Sequence, residues 1–147
     1  MKFKERIVRG SVVVSFVAGS LLTACLMHAQ QARADRDHVF ELLVYHTLPG
    51  KEPALESVFR DFAPLQARYV KVVGYWVPND DPAWANTFIY VVAHPVWKKR
   101  KKNWGALHAD PAFSPYRKEA AQFIEKVDGR YRVDEVYMRP TDYSSMK

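Results

Sequence analysis

The chain has 147 residues, 26% of them charged and 48% hydrophobic, with 22 Lys and Arg against 16 Asp and Glu for a formal charge of +6. That length supports one hydrophobic core and excludes a tandem-domain protein. The single cysteine excludes an intrachain disulfide and any cysteine-based metal site.

The first segment reads as an export signal. Lys2, Lys4, Arg6 and Arg9 precede an apolar run from Ser11 to about Met27, and His28, Gln30, Gln31 and Arg33 follow it. Ala32-Arg33-Ala34 supplies small residues at both positions that a signal peptidase pocket reads, so residues 1–34 are the expected signal peptide and 35–147 the mature domain. Five of the 22 basic residues and one of the 16 acids lie before Asp35, which leaves 17 against 15 and a net charge of +2. Most of the basicity thus belongs to the leader, and no nucleic-acid partner is expected. The only cysteine, Cys25, sits inside the apolar run. Leu22-Thr23-Ala24-Cys25 also resembles a bacterial lipobox, in which Cys25 would be acylated and begin the mature chain. The expected location is therefore periplasmic or secreted, or alternatively the outer membrane, with Cys25 as the lipid anchor and the only membrane contact. An uncleaved anchor ranks last, because the run only just reaches the roughly 17 residues a membrane span requires.

Val39 to Tyr45 is rich in β-branched and aromatic residues and suits a strand buried on both faces. Leu48-Pro49-Gly50 ends it. Leu55, Val58, Phe59, Phe62 and Leu65 then recur at helical spacing, which predicts a helix from about Glu52 to Arg68 with Pro53 in its first turn. Pro64 is expected to kink this helix or end it early. Strands are predicted over 70–77 and 87–94, separated by the turn residues Pro78 to Pro82. A helix over 96–108 places Trp97, Trp104 and Leu107 on one face, read as core packing, with Lys98, Lys99, Lys101 and Lys102 on a solvated remainder. Asp110-Pro111 opens a further helix reaching roughly Glu125. Asp128-Gly129 turns the chain into a last strand, Arg130 to Met138.

The resulting β-α-β-β-α-β order predicts an α+β, ferredoxin-like split βαβ fold: a four-stranded antiparallel sheet with its helices on one face. In that arrangement the first and third strands are expected to be adjacent and parallel. Apolar residues on both faces of the strands predict that the open face is covered by a second copy, giving a homodimer.

Glu41-Leu42, Tyr45 and Pro49-Gly50-Lys51 resemble the ELRxYxxxPGK opening of the NIPSNAP family. Gly74-Tyr75-Trp76, Asn86-Thr87-Phe88 with Tyr90, Ala93-His94-Pro95, Trp104 with Asp110-Pro111, and Pro140-Thr141-Asp142-Tyr143-Ser144 follow in the family's order. The likeness runs from about Val39 to Ser144. It implies the dimeric α+β barrel, a superfamily that includes cofactor-free oxygenases, isomerases, haem-degrading enzymes and ligand-binding modules. Fold alone does not choose among these. Leu43 stands where the family commonly has arginine, and the run Lys98 to Lys102 is unusually basic.

Period-2 alternation sorts the strand residues into two sets. Phe40, Leu42, Val44, Ile89, Val91 and Ala93 are expected to face the helices. Glu41, Leu43, Tyr45, Phe88, Tyr90, Val92 and His94 are expected to face the barrel cavity between two sheets. Glu41, Tyr45, Tyr90 and His94, joined by Tyr137 and by either Tyr75 or Trp76, are the candidate cavity or ligand-binding residues, with Tyr131 and Glu135 as further members. A bulge at Gly74 decides between Tyr75 and Trp76. His94 is the first candidate general base, with Glu41 to orient it or to act itself; against this stand a capping or structural role for His94 and a pairing of Glu41 with an arginine of the last strand or of a second copy. The five histidines lack metal-ligand spacing, so neither metal nor cofactor is expected. The expected function is a homodimeric barrel binding a small apolar or lipid-like ligand, or a partner. The alternative is a cofactor-independent oxygenase or isomerase working in the cavity.

Overall fold

Val39–His46 forms strand β1, followed by helix α1 (Glu52–Gln66), β2 (Lys71–Trp76), a single 3-10 turn (Pro82–Trp84) and β3 (Thr87–His94). Helices α2 (Trp97–Ala109) and α3 (Phe113–Ala120) follow, then a small hairpin of β4 (Lys126–Val127) and β5 (Arg130–Tyr131), and finally β6 (Val133–Met138). This computed structural model describes residues 38–146. The export signal expected to end at Ala34, its expected cleavage site and Cys25 lie outside the described residues.

The main sheet has the order β2-β3-β1-β6 and is antiparallel throughout. The fold is the α+β ferredoxin-like one expected, but β1 and β3 are antiparallel rather than parallel, with Leu42 opposite Val91. The cause is the chain path. The α1 crossover makes β2 run parallel to β1, and the direct return from β2 into β3 reverses direction once more.

The two residue sets are grouped as period 2 predicts, yet they face the opposite ways. Leu43, Phe88, Tyr90 and Val92 form one buried cluster with Leu55, Phe59, Phe62 and Leu65 of α1 and Leu107 of α2, so the Glu41 and Tyr45 side of the sheet packs against the helices. The wholly apolar set, which includes Leu42, Ile89 and Val91, occupies the face without helices. Hydrophobicity alone pointed the wrong way because the helices carry polar partners for the polar set.

Gly74 does mark a bulge. Val72 pairs with Val92 and Gly74 with Val91, leaving Val73 extra. The reset parity puts Tyr75 opposite Tyr90 on the helix side and Trp76 opposite Ile89 on the open side. Helix α1 ends at Gln66, two residues before the predicted Arg68, with Pro64 inside its last turn. Helix α3 ends at Ala120 rather than near Glu125; turns carry the chain from there to a bridge between Ile124 and Thr47. Asp128 and Gly129 both take positive φ (51° and 75°), the two-residue hairpin geometry, so the predicted last strand is split at Arg132. Arg132 Nη1 pairs with Glu125 Oε2 (2.9 Å), and the Arg132 N–H donates to the Glu125 carbonyl (2.9 Å), fixing that break.

Candidate functional site

A cavity of about 240 Å³ lies between α1, α2, α3 and the sheet. Phe59 and Phe62 come from the inward face of α1, Tyr45 and Tyr90 from the two central strands, and Phe113 and Tyr116 from α3. These rings touch one another. Tyr45 stacks on Tyr90 at 5.7 Å and meets Phe59 edge-on at 5.3 Å, while Phe62 lies 5.6 Å from both Phe113 and Tyr116. Such offset and edge contacts make a stiff aromatic wall.

Two phenols provide the polar groups at the floor. The Tyr45 and Tyr90 hydroxyls stand 3.4 Å apart. Burial pushes both phenols above their ordinary range, Tyr90 furthest, where the nearby Tyr45 phenol and the Glu41 charge add to the effect. They are therefore protonated, uncharged donors near neutral pH. At the mouth, His108 stacks on Phe113 (5.0 Å) and lies 6.0 Å from Trp104. Desolvation, followed by the charge of Arg117, lowers the His108 pKa, so its imidazole is neutral near pH 7.

Behind the cavity wall lies a separate polar cluster. The Glu41 side chain is 1% exposed and that of His94 0%. Three donors converge on the Glu41 carboxylate: His94 Nε2 at 2.9 Å, Arg100 Nη2 at 2.5 Å and Trp104 Nε1 at 2.8 Å. Burial alone would raise this carboxyl, but the hydrogen bonds from His94, Arg100 and Trp104 and the Arg100 charge outweigh it and hold the pKa at about 2. With Glu41 ionised, His94 presents Nε2–H to it, and the buried Nδ1 has no partner among the described residues. The Arg100 guanidinium also lies over the Tyr137 ring (4.7 Å) and reaches Glu135 (3.4 Å). Glu41 thus pairs with an arginine of α2, not of the last strand. His94 caps no helix, since Val96 holds the N-cap position of α2. Trp97 is not core: more than half exposed, it packs on Tyr137 at 5.0 Å.

Of the sequence-level candidates, Tyr45 and Tyr90 line the cavity, as does Tyr131. Glu41 and His94 touch it only through Trp104, whose indole forms part of the wall while its Nε1 is bound to Glu41. Tyr75 donates to Gln66 Oε1 at 2.7 Å. Tyr137 belongs to the Arg100 cluster, and Trp76 lies on the opposite face, nearly half exposed. His108 and Arg117 were not read as site residues from the sequence. Their signal was helical spacing: Arg100, Trp104 and His108 recur every four residues on one face of α2, and Phe113, Tyr116, Arg117 and Ala120 recur likewise on α3. Among the described residues no group of three or more His, Cys, Asp or Glu is arranged to hold a metal ion.

Comparison with known proteins places this geometry. The NIPSNAP family model matches residues 40–144. A NIPSNAP family protein of unknown function from Agrobacterium tumefaciens superposes with a TM-score of 0.67 at 21% identity, over 76% of this chain and 96% of that one. A NIPSNAP domain protein from Burkholderia xenovorans gives 0.63 at 18% identity, over 72% and 97%. SnoaB, a cofactor-independent oxygenase from Streptomyces nogalater, gives 0.50 at 15% identity, over 74% and 99%. No curated protein matches the sequence. These likenesses carry the fold and not the activity. With a family model spanning nearly all the described residues, the chain belongs to the NIPSNAP family.

Proposed function

We propose that this chain is an exported, homodimeric binding module that holds a small apolar molecule in the cavity between its helices and its sheet. The cavity itself carries this reading: about 240 Å³ walled largely by aromatic rings, where the polar groups of the lining side chains are those of Tyr45, Tyr90, Tyr116 and Tyr131, the Trp104 indole, the His108 imidazole and the Arg117 guanidinium. An apolar cavity of about 150 Å³ accommodates benzene, so this one has room for a molecule of one to two rings. Dimerisation is supported by the open face, where Trp76 and Val136 are each nearly half exposed beside Met138 and the central pair Leu42 and Val91. An apolar sheet face of that extent is stabilised by a second copy covering it.

A second reading, a cofactor-independent oxygenase or isomerase, draws support from the fold shared with SnoaB and from the neutral His108 imidazole at the cavity mouth. In that case His108 would be the base. Glu41, held near pKa 2 and screened by Trp104, is too weak a base near neutrality, and His94 Nε2 is bound to it.

Native mass spectrometry of protein purified from its own host tests the binding reading. The expected result is a dimer retaining a small molecule, with an intact mass that reports whether the chain starts at Asp35 or at an acylated Cys25. Val91→Glu, which sets a carboxylate in the middle of the open face, is expected to yield folded monomer. A monomeric wild-type protein at micromolar concentration, with an empty cavity that takes up no added aromatic probe, would overturn the proposal.

A further inference from the structure

Among the described residues that line the cavity there is no carboxylate, and the one formally charged side chain is that of Arg117, in the last turn of α3. Among the described residues no acid lies within ion-pair distance of that guanidinium. This sets it apart from Arg100, whose charge is answered by Glu41 at 2.5 Å. Arg117 is close enough to His108 to weaken the basicity of the imidazole, so its positive field reaches the cavity mouth. An unanswered cation beside aromatic walls is complementary to an anion with an apolar body. One guanidinium and one neutral imidazole in the same lining match a single negative charge better than the two charges of a phosphate monoester. A guanidinium fork also fits the two oxygens of a carboxylate.

From these features we infer that the cavity selects small aromatic monocarboxylates, with the ring system held among Phe59, Phe62, Tyr90 and Tyr116 and the carboxylate held at the mouth by Arg117. His108 donates a second hydrogen bond to the same carboxylate. This inference rests on the binding function proposed above and narrows its ligand class.

Calorimetric titration of the purified protein with 2-naphthoate and with its neutral counterpart 2-naphthamide provides the test. Naphthoate is expected to bind about tenfold or more tightly than naphthamide, the scale of one hydrogen bond to a charged group. Arg117→Gln is expected to remove that preference, weakening naphthoate binding about tenfold and naphthamide binding much less. Arg117→Lys, which keeps the charge and loses the fork, should restore part of it. Arg117 is exposed, so these changes leave the core intact. By NMR, the pKa of His108 should rise when naphthoate binds and stay unchanged with naphthamide. Ala121→Phe, which fills the cavity, should abolish both affinities. Equal binding of the two probes by the wild type would overturn the carboxylate inference and leave the apolar cavity standing. Naphthoate binding that survives Ala121→Phe would place the anion elsewhere and overturn the inference too. If neither probe binds, the cavity reading falls with it.

Discussion

Replacing Glu41 with alanine is expected to destabilise the fold by about 3 kcal/mol, the lower end of the range for removing one partner of a buried ion pair. The lower end applies because Arg100 keeps some access to water, with 22% of its side chain exposed. For a domain of this size such a loss corresponds to a fall of more than about 10 °C in Tm. Three donors aim at one carboxylate, so the change leaves His94, Arg100 and Trp104 without their acceptor together. Glu41→Gln keeps the shape and one acceptor oxygen but removes the charge, and should fall between the two proteins. The pH dependence follows from the sign of the shift. The Glu41 pKa lies at about 2 in the folded protein against 4.5 as its ordinary value, so its contribution is complete above about 4.5 and is lost as pH falls toward 2. Urea unfolding across that window should show a steeper loss of stability in the wild type than in Glu41→Gln. Parallel curves would mean that the carboxylate is not held as the geometry implies.

Truncating Phe59 to alanine is expected to cost about 3–5 kcal/mol. Its ring centroid lies 4.8 Å from Phe88, 5.2 Å from Tyr90, 5.3 Å from Tyr45 and 5.9 Å from Phe62, so it joins α1 to both central strands. The residue is also part of the cavity wall. Truncation therefore has a second consequence besides lost packing: the void left behind is continuous with the cavity, and the variant should accept ligands one ring larger than the wild type does. Phe59→Leu, which keeps most of the volume, should lose much less stability. A cost below about 1 kcal/mol for the alanine variant, measured by chemical denaturation, would show that the ring is not the hub its contacts describe.

The order of elements was legible because each signal is local. Period 2 in VFELLVY and TFIYVVAH, period 3.6 in α1, and the proline and glycine breaks between them each lie within one short window. Residue grouping on the sheet was legible for the same reason, including the Gly74 bulge. Which way each group faces was not. That depends on the side to which the α1 crossover delivers the helices, and the more polar set proved to be the covered one, because Arg100, Trp104 and Gln66 supply its partners. The same blindness hid the site. Arg100 looks like one more cation in the run from Lys98 to Lys102, and only its spacing to Trp104 and His108 marks it as inward. Arg117 and His108 line the same cavity from two different helices, a juxtaposition that neither helix's own sequence encodes. His94 attracted attention as a base for its chemistry; its position beside an ionised glutamate, with no free path to the cavity, depends on the register Val39 to His94 between β1 and β3.

The helix-to-sheet cavity as the place where this protein meets its ligand is tested most directly by NMR mapping of a neutral aromatic probe, 1-naphthol, on the purified protein. The predicted result is a set of saturable shift changes confined to Tyr45, Tyr90, the Trp104 indole, His108 and Tyr116. Changes centred instead on Trp76, Val136 and Met138 of the open sheet face, with the cavity residues silent, would contradict it.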